Sequence, residues 1–116
     1  MKDINFSTPR PSVELYFCVA EMFEAYADAC SSGQFRAWPE FFTSDAIYRV
    51  TSRENFEADL AHGDIYCDGR AMIEDRADAL RDSTIYEPRA LRHIISHPRL
   101  EPAPDGVLAA RTNFLI

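Results

Sequence analysis

The fold is decided by one stretch, Asp64–Arg81, which reads DIYCDGRAMIEDRADALR. Its apolar start, Ile65–Cys67, predicts a short strand or a turn, and the Asp-Gly pair that follows predicts a change of direction into a helix. Asp68 is the expected N-cap, because its carboxylate can accept hydrogen bonds from the free backbone N–H groups of the first turn. Ile73, Ala77 and Leu80 are spaced to form one apolar stripe that faces a core. The opposite face of this helix is charged and carries Glu74, Asp75, Asp78, Arg81 and Asp82.

Arg70 is unusual, because a cation in the first turn of a helix opposes the helix dipole. We expect the Arg70 guanidinium to pair with Glu74 one turn later or with a group outside the helix. The alternative is an ordinary amphipathic helix whose whole charged face is solvated.

Composition narrows the class of protein. A chain of 116 residues with 47% hydrophobic side chains suits one domain with one core. Its net charge of −7 argues against binding to nucleic acid or to an anionic membrane. No apolar run approaches the roughly 20 residues of a membrane span, and no signal peptide is recognisable at the N-terminus. Three cysteines without a CxxC motif are typical of reduced thiols, so we expect a cytoplasmic protein.

The chain divides into a short arm and one domain. Residues 1–11 are polar and contain two prolines, which predicts an extended N-terminal arm, and residues 12–116 are predicted to form a single domain. The first half of that domain is predicted to contain a helix from the cap Ser12 to about Ser31 that ends at Gly33, a short helix over Phe35–Phe42 broken at Pro39, a strand over Ala46–Thr51 and a loop over Ser52–Gly63.

The second half is predicted to be mostly strand. After the helix that begins near Arg70 and fades past Asp82, one strand is expected over Leu91–His97, with a bulge or a sheet edge near Pro98. A hairpin turn over Pro102–Gly106 then leads into a ten-residue strand, Val107–Ile116. Helices first and strands last indicate the α+β class, with helices on one face of a bent antiparallel sheet.

Several blocks of this sequence, in the same order, closely resemble the small (beta) subunit of aromatic-ring-hydroxylating dioxygenases. The resemblance covers residues from about 14 to 116. The blocks that carry it are Phe35–Tyr48, Ser52–Phe56, Ile65–Arg76, Arg92–Ser96 and Thr112–Phe114.

The resemblance implies the cone-shaped NTF2-like fold, in which helices pack on a curved antiparallel sheet. The family continues with two further long strands after the Asn-Phe strand near residue 114, so we expect this chain to be truncated at its C-terminus relative to the family. A diverged remnant that only oligomerises is a further possibility on the same ground.

The resemblance also implies a division of labour. In the family, a Rieske [2Fe–2S] cluster and a mononuclear iron lie in the large alpha subunit, and this chain has no Cys-x-His or Cys-x-x-His pair. His93 and His97 share a predicted strand face but would stand roughly 13 Å apart, too far for one metal ion. We therefore expect no metal and no cofactor in this chain.

On this interpretation the chain is a non-catalytic subunit of an alpha3beta3 hexamer, with a beta trimer as its platform. Charged side chains of the loop and helix face would contact other subunits, and the alternative for each is solvation or pairing within the chain. The predicted contact residues are Arg53, Glu54, Asp68, Arg70, Glu74, Asp75 and Arg76.

The alternative is a free-standing NTF2-like dehydratase, isomerase or cyclase that acts on a small apolar substrate in the cone. His93 or Asp45 would then be the general base, and Tyr26 or Tyr48 would donate a hydrogen bond. For each of these side chains, an ordinary structural role in a sheet, at a strand entry or at a rim is the competing interpretation.

Overall fold

The computed structural model describes residues 12–59, 64–86, 90–102 and 106–116. The chain divides into two compact units, which we name by position: the terminal unit, Met1–Asp28 with Arg92–Ile116, and the central unit, Ala29–Leu91. The predicted arm over residues 1–11 lies outside the described residues. The single domain predicted over 12–116 stays a prediction.

Helix α1, Val13–Ser31, begins and ends as its sequence predicts. The Ser12 hydroxyl accepts a hydrogen bond from the Leu15 N–H at 3.1 Å, which satisfies one of the free donors of the first turn. At the other end Gly33 has φ +69°, and the Gln34 N–H donates to the Ala29 carbonyl at 3.0 Å. Glycine suits this left-handed position because it has no Cβ to collide with the backbone.

The central unit contains short elements around one long helix. A 3-10 helix, Trp38–Phe41, carries Pro39 in its first turn, and the strands β1, Ile47–Val50, and β2, Ile65–Asp68, pair antiparallel. Two helices follow these strands in turn, α2, Arg53–Glu57, and α3, Arg70–Tyr86.

The predicted apolar stripe of α3 provides the core of this unit. Ile73 has no exposed surface and Ala77 is 3% exposed, whereas Leu80 is half-buried. Trp38 and Cys67 are also buried here. The stretch that begins at Asp64 therefore supplies both a strand of the sheet and the buried face of its covering helix.

Three boundaries predicted for the central unit are wrong. Because α3 begins at Arg70, the N-cap position belongs to Gly69, and Asp68 is the last residue of β2. The predicted loop after Thr51 contains α2, which is capped by the Ser52 hydroxyl accepting from the Asn55 N–H at 3.2 Å; residues 60–63 lie outside the described part. Helix α3 also continues past Asp82 to Tyr86.

The terminal unit contains four short strands in two antiparallel pairs. Strand β3, Ile94–Ile95, pairs with β6, Phe114–Leu115, and β4, Arg99–Pro102, pairs with β5, Leu108–Arg111. The predicted strand Leu91–His97 is thus reduced to β3, and the predicted strand Val107–Ile116 is divided into β5 and β6. The strand pairing is interrupted between the two pairs. Residues 103–105, within the predicted turn, lie outside the described residues.

The interruption is a β-bulge. Ile95 pairs with Phe114 and Arg99 with Arg111, so residues 96–98 on one side face only residues 112–113 on the other. The Ser96 N–H donates to the Asn113 carbonyl at 2.9 Å, and the Asn113 N–H donates to the Ser96 hydroxyl at 2.9 Å. Pro98 has no N–H to contribute, which explains why regular pairing fails here. The extra residue thus lies beside Pro98, where the sequence predicts a bulge or a sheet edge.

Candidate functional site

The shortest ion pairs among the described residues of the central unit lie at the start of α3. Gly69 has φ +94°, and its N–H donates to the Ala46 carbonyl at 2.9 Å. The next N–H, that of Arg70, donates to the Ser44 carbonyl at 3.1 Å. These two hydrogen bonds hold the first residue of α3 against the residues that precede β1. They therefore fix the position of the Arg70 backbone, from which its side chain extends.

The Arg70 guanidinium joins two carboxylates. Its Nε atom lies 3.1 Å from Glu74 Oε1, and its Nη2 atom lies 3.1 Å from Glu40 Oε1. Both expected modes of neutralisation are therefore present, one within the helix and one outside it. Both carboxylate side chains are more than half exposed, at 71% for Glu40 and 54% for Glu74, so Arg70 holds two accessible carboxylates at one point of the surface.

The sequence analysis missed Glu40. It lies thirty residues before Arg70 and belongs to the 3-10 helix, so no local spacing connects the two side chains. Only the observation that Arg70 opposes the helix dipole pointed to a distant acidic partner.

The other predicted contact residues also lie in the central unit. Arg53 and Glu54 form the exposed first turn of α2, and Asp68 is exposed at the end of β2. Asp75 is exposed on α3, whereas Arg76 is half-buried and close enough to Tyr48 to influence its ionisation. The structure therefore brings Arg70 and Glu74 into direct contact and places the remaining residues on α2, β2 and α3 of the same unit.

Three aromatic side chains pack beside this surface. The Tyr48 ring meets Trp38 at 5.1 Å between centroids and Phe42 at 5.9 Å, and Trp38 meets Phe42 at 5.5 Å, all edge to face. Burial raises the pKa of the Tyr48 hydroxyl, with Cys30 and Cys67 adding to the rise and Arg76 opposing it. The hydroxyl therefore stays protonated at neutral pH and can donate a hydrogen bond but cannot act as a base.

The four residues of the enzyme hypothesis are divided between the units. Asp45 and Tyr48 lie in the central unit, where Asp45 Oδ1 accepts a hydrogen bond from the Thr43 hydroxyl at 2.8 Å at the entry to β1. Tyr26 and His93 lie in the terminal unit and are both half-buried.

A small cavity of about 100 Å³ lies on the β4–β5 pair and is lined by none of these four residues. Its lining contains two arginines that the sequence analysis did not single out, because only the strand register brings them together. The lining residues are Arg99, Glu101, Ala109, Ala110 and Arg111.

A metal site in a protein is built from several converging His, Cys, Asp or Glu side chains. Across residues 12–59, 64–86, 90–102 and 106–116, no such group could hold a metal ion. The donor set of a Rieske cluster or of a mononuclear iron site is thus not assembled by this part of the chain. The three cysteines, Cys18, Cys30 and Cys67, are free thiols.

Sequence comparison connects these observations to known proteins. The chain is 37% identical over 98 residues to the terephthalate 1,2-dioxygenase terminal oxygenase component subunit beta 1 of Comamonas sp., a match that covers 84% of this chain and 64% of that protein. It is 27% identical over 104 residues to the anthranilate 1,2-dioxygenase small subunit of Burkholderia cepacia, covering 90% of this chain and 65% of that protein.

Structure comparison agrees. A beta subunit assigned to an aromatic-ring-hydroxylating dioxygenase of Novosphingobium aromaticivorans superposes with a TM-score of 0.76 at 25% identity, covering 87% of this chain and 63% of that one. The resemblance to dioxygenase small subunits is confirmed. The same superposition confirms the α+β class of the NTF2-like fold.

This dioxygenase small-subunit homologue spans somewhat less than two thirds of the length of the curated relatives that it matches. No family model matches the chain. Within the described part of the homologue, none of the helices is long and apolar enough to cross a membrane.

Proposed function

We propose that this chain is a non-catalytic small subunit of an aromatic-ring-hydroxylating dioxygenase that supports a catalytic large subunit in the cytoplasm. The observation that carries the proposal is the 37% identity, over 84% of the chain, to the beta subunit of a terephthalate dioxygenase. The comparisons favour this function over a free-standing dehydratase, isomerase or cyclase, because the matched relatives are dioxygenase small subunits.

The redox chemistry is assigned to the partner chain in this proposal. The described residues offer no group of ligands for a Rieske cluster or a mononuclear iron, so both would be held by the large subunit. The small subunit would contribute shape and contact surface. The relatives are named for terephthalate and anthranilate, both aromatic carboxylates, and we infer that the complex oxidises an aromatic acid.

The surface around Arg70 is the proposed contact with the other subunits. Arg70 fixes the two exposed carboxylates of Glu40 and Glu74, and carboxylates held in place lose less side-chain entropy when a partner binds them. They would accept hydrogen bonds from arginine or lysine of the facing subunit, which sets the register of a polar interface. The remaining members of this surface are Arg53, Glu54, Asp68, Asp75 and Arg76.

Assembly in an alpha3beta3 hexamer with a beta trimer is part of the same proposal. It is tested by expressing the chain together with its genomic neighbours and measuring the mass of the purified complex by light scattering. We expect an iron–sulfur protein to purify with this chain in a 1:1 ratio, detected by its visible absorption. We also expect the complex to oxidise an aromatic acid when the electron-transfer components are present. A chain that purifies alone and turns over a small molecule by itself would contradict the proposal.

The contact surface has its own test. Arg70→Ala and Arg53→Ala are expected to weaken association with the large subunit, because each removes a charged group from the surface. The fold should persist, since the Arg70 ion pairs are largely exposed and such pairs contribute about 0.3–0.5 kcal/mol each. Size-exclusion chromatography over a dilution series measures the association.

Arg36→Ala is the matched control, because Arg36 is an exposed arginine of the same unit outside the proposed surface. If all three variants co-elute with the large subunit as the unmodified chain does, the contact surface lies elsewhere. The subunit function itself would remain supported by co-purification.

A further inference from the structure

Two arginines stand directly opposite each other in the terminal unit. The register of the β4–β5 pair aligns Arg99 with Arg111, and residues aligned across an antiparallel pair project from the same face with Cβ atoms about 4.5–5.5 Å apart. Like charges in this arrangement repel and disfavour strand pairing. The hairpin therefore carries an unfavourable interaction that a bound anion would relieve.

Neither arginine is neutralised within the described residues. Both side chains are exposed, and neither forms an ion pair or hydrogen bond with another described residue. Arg70 and Arg81, in contrast, each contact two carboxylates of the central unit. In a chain with a net charge of −7, two adjacent guanidinium groups that have no carboxylate partner among the described side chains form a local exception.

A depression lies between these side chains. Arg99, Glu101 and Arg111 line a space of about 100 Å³, with the short side chain of Ala109 leaving room opposite Glu101. Pockets for complete small-molecule ligands measure about 300–1,000 Å³, so this one accommodates only a small group. Its size and charge fit a single carboxylate.

We propose that Arg99 and Arg111 form a carboxylate-binding site. Each guanidinium presents N–H donors in a fixed planar fork that matches the two oxygens of a carboxylate. Glu101 lies on the same face, two residues from Arg99, and its negative charge opposes the bound anion and weakens the site. The carboxylate can belong to a free acid or to an acidic side chain of another polypeptide, and the chemistry of recognition is the same for both. This site is independent of the proposed subunit function.

The test is a titration of the full chain followed by backbone amide chemical shifts, at constant ionic strength. Sodium acetate is compared with sodium chloride, and acetyl-Glu-Glu-Glu-amide provides carboxylates on a polypeptide. We expect saturable shifts at the amides of Arg99 and Arg111 with acetate and not with chloride. Tighter binding of the peptide than of acetate at equal carboxylate concentration assigns the site to a polypeptide partner, and equal binding assigns it to free acids.

Charge variants give the sign of the effect. Arg99→Gln and Arg111→Gln are each expected to weaken acetate binding about tenfold, because each removes hydrogen bonds to a charged group. Glu101→Gln is expected to tighten it, because a competing negative charge is lost. Arg92→Gln, an exposed arginine of the same unit outside the β4–β5 pair, should leave it unchanged.

Thermal unfolding verifies the fold of each variant, and removing one of two facing like charges should not lower the melting temperature. The site would be disproved by equal shifts with chloride and acetate, by a loss in Arg92→Gln equal to that in Arg99→Gln, or by weaker binding in Glu101→Gln.

Discussion

The two compact units differ in how many of their apolar side chains are buried and how many are exposed. In the central unit, Ile73, Ala77 and Trp38 are buried around the long helix α3. In the terminal unit, Ala27 and Pro98 are the apolar side chains that are buried among the described residues; against six exposed large apolar side chains in the central unit, this unit has nine. The exposed ones include Val13, Phe17, Ile94, Phe114, Leu115 and Ile116.

The difference suggests that the central unit contributes mainly to the stability of the fold and the terminal unit mainly to association with other molecules. Burial of apolar surface provides the main favourable free energy of folding, so the central unit can be stabilised by its own side chains. Contiguous exposed apolar surface is rare on monomeric proteins and marks sites of contact with other molecules. We therefore expect substitutions in the central unit to change unfolding and substitutions of the exposed apolar residues to have little effect on the isolated chain.

The largest expected effect is that of Ile73→Ala in the central unit. Ile73 has no exposed surface, and truncating such a side chain removes favourable contacts and leaves a cavity. The free energy of unfolding should fall by about 2–5 kcal/mol, measured by urea denaturation.

Phe114→Ala is the matched substitution in the terminal unit. Phe114 is 68% exposed, and the free energy of unfolding should change by less than about 0.5 kcal/mol. Equal destabilisation by the two substitutions would show that the contrast between the units does not hold in solution.

An intermediate effect is expected at the bulge of the terminal unit. Ser96→Ala removes the hydroxyl that accepts from the Asn113 N–H at 2.9 Å, where regular strand pairing is interrupted. The free energy of unfolding should fall by about 0.5–1.5 kcal/mol, the range of one hydrogen bond. Amide hydrogen exchange at Asn113 should accelerate at the same time, which locates the loss at the bulge.

Ser83→Ala is the control, because the Ser83 hydroxyl donates to the Leu80 carbonyl on an exposed part of α3. It should leave hydrogen exchange at Asn113 unchanged. Unaltered exchange at Asn113 in Ser96→Ala would mean that the hydroxyl does not support the bulge.

The smallest effect concerns pH in the central unit. Burial raises the pKa of the Cys30 thiol above its ordinary value of 9.0 and that of the Tyr48 hydroxyl above 10.0. Above these ordinary values the unfolded chain has lost protons that the folded chain retains, so the free energy of unfolding falls as pH rises. The decline should begin near pH 9 and steepen above pH 10.

Tyr48→Phe should reduce the steeper part of this decline, measured as the melting temperature between pH 8 and pH 11. Tyr66→Phe, at the exposed neighbour in β2, is the comparison. A decline of the same steepness in Tyr48→Phe and in the unmodified chain would assign it to other groups.

Local sequence patterns predict the structural features that depend on residues close together in the sequence. The Ser12 cap, the Gly33 stop and the apolar stripe at Ile73 follow from spacing along the chain, and the structure confirms all three. The cap of α3 was placed one residue early, because Asp68 is a favoured capping residue but Gly69 makes the turn.

Contacts between residues far apart in the sequence cannot be predicted from local spacing. The ion pair between Arg70 and Glu40 and the alignment of Arg99 with Arg111 depend on tertiary structure and strand register. Pro98 predicts a bulge or a sheet edge, yet the number of extra residues cannot be predicted from one strand alone. The role of the predicted contact residues depends on another polypeptide chain, which no pattern within this sequence describes.

The bulge also decides which side chains the β4 strand shows on each face. Ile95 and Arg99 are four positions apart, so uninterrupted alternation would place them on the same face, whereas their partners Phe114 and Arg111 are three apart and alternate to opposite faces. Across the bulge, Leu100 instead takes the face of Ile95, and both are half-buried. Deleting one residue between positions 95 and 99 would leave two residues between the two pairs on each strand, so regular pairing could continue through the segment with Arg99 still opposite Arg111.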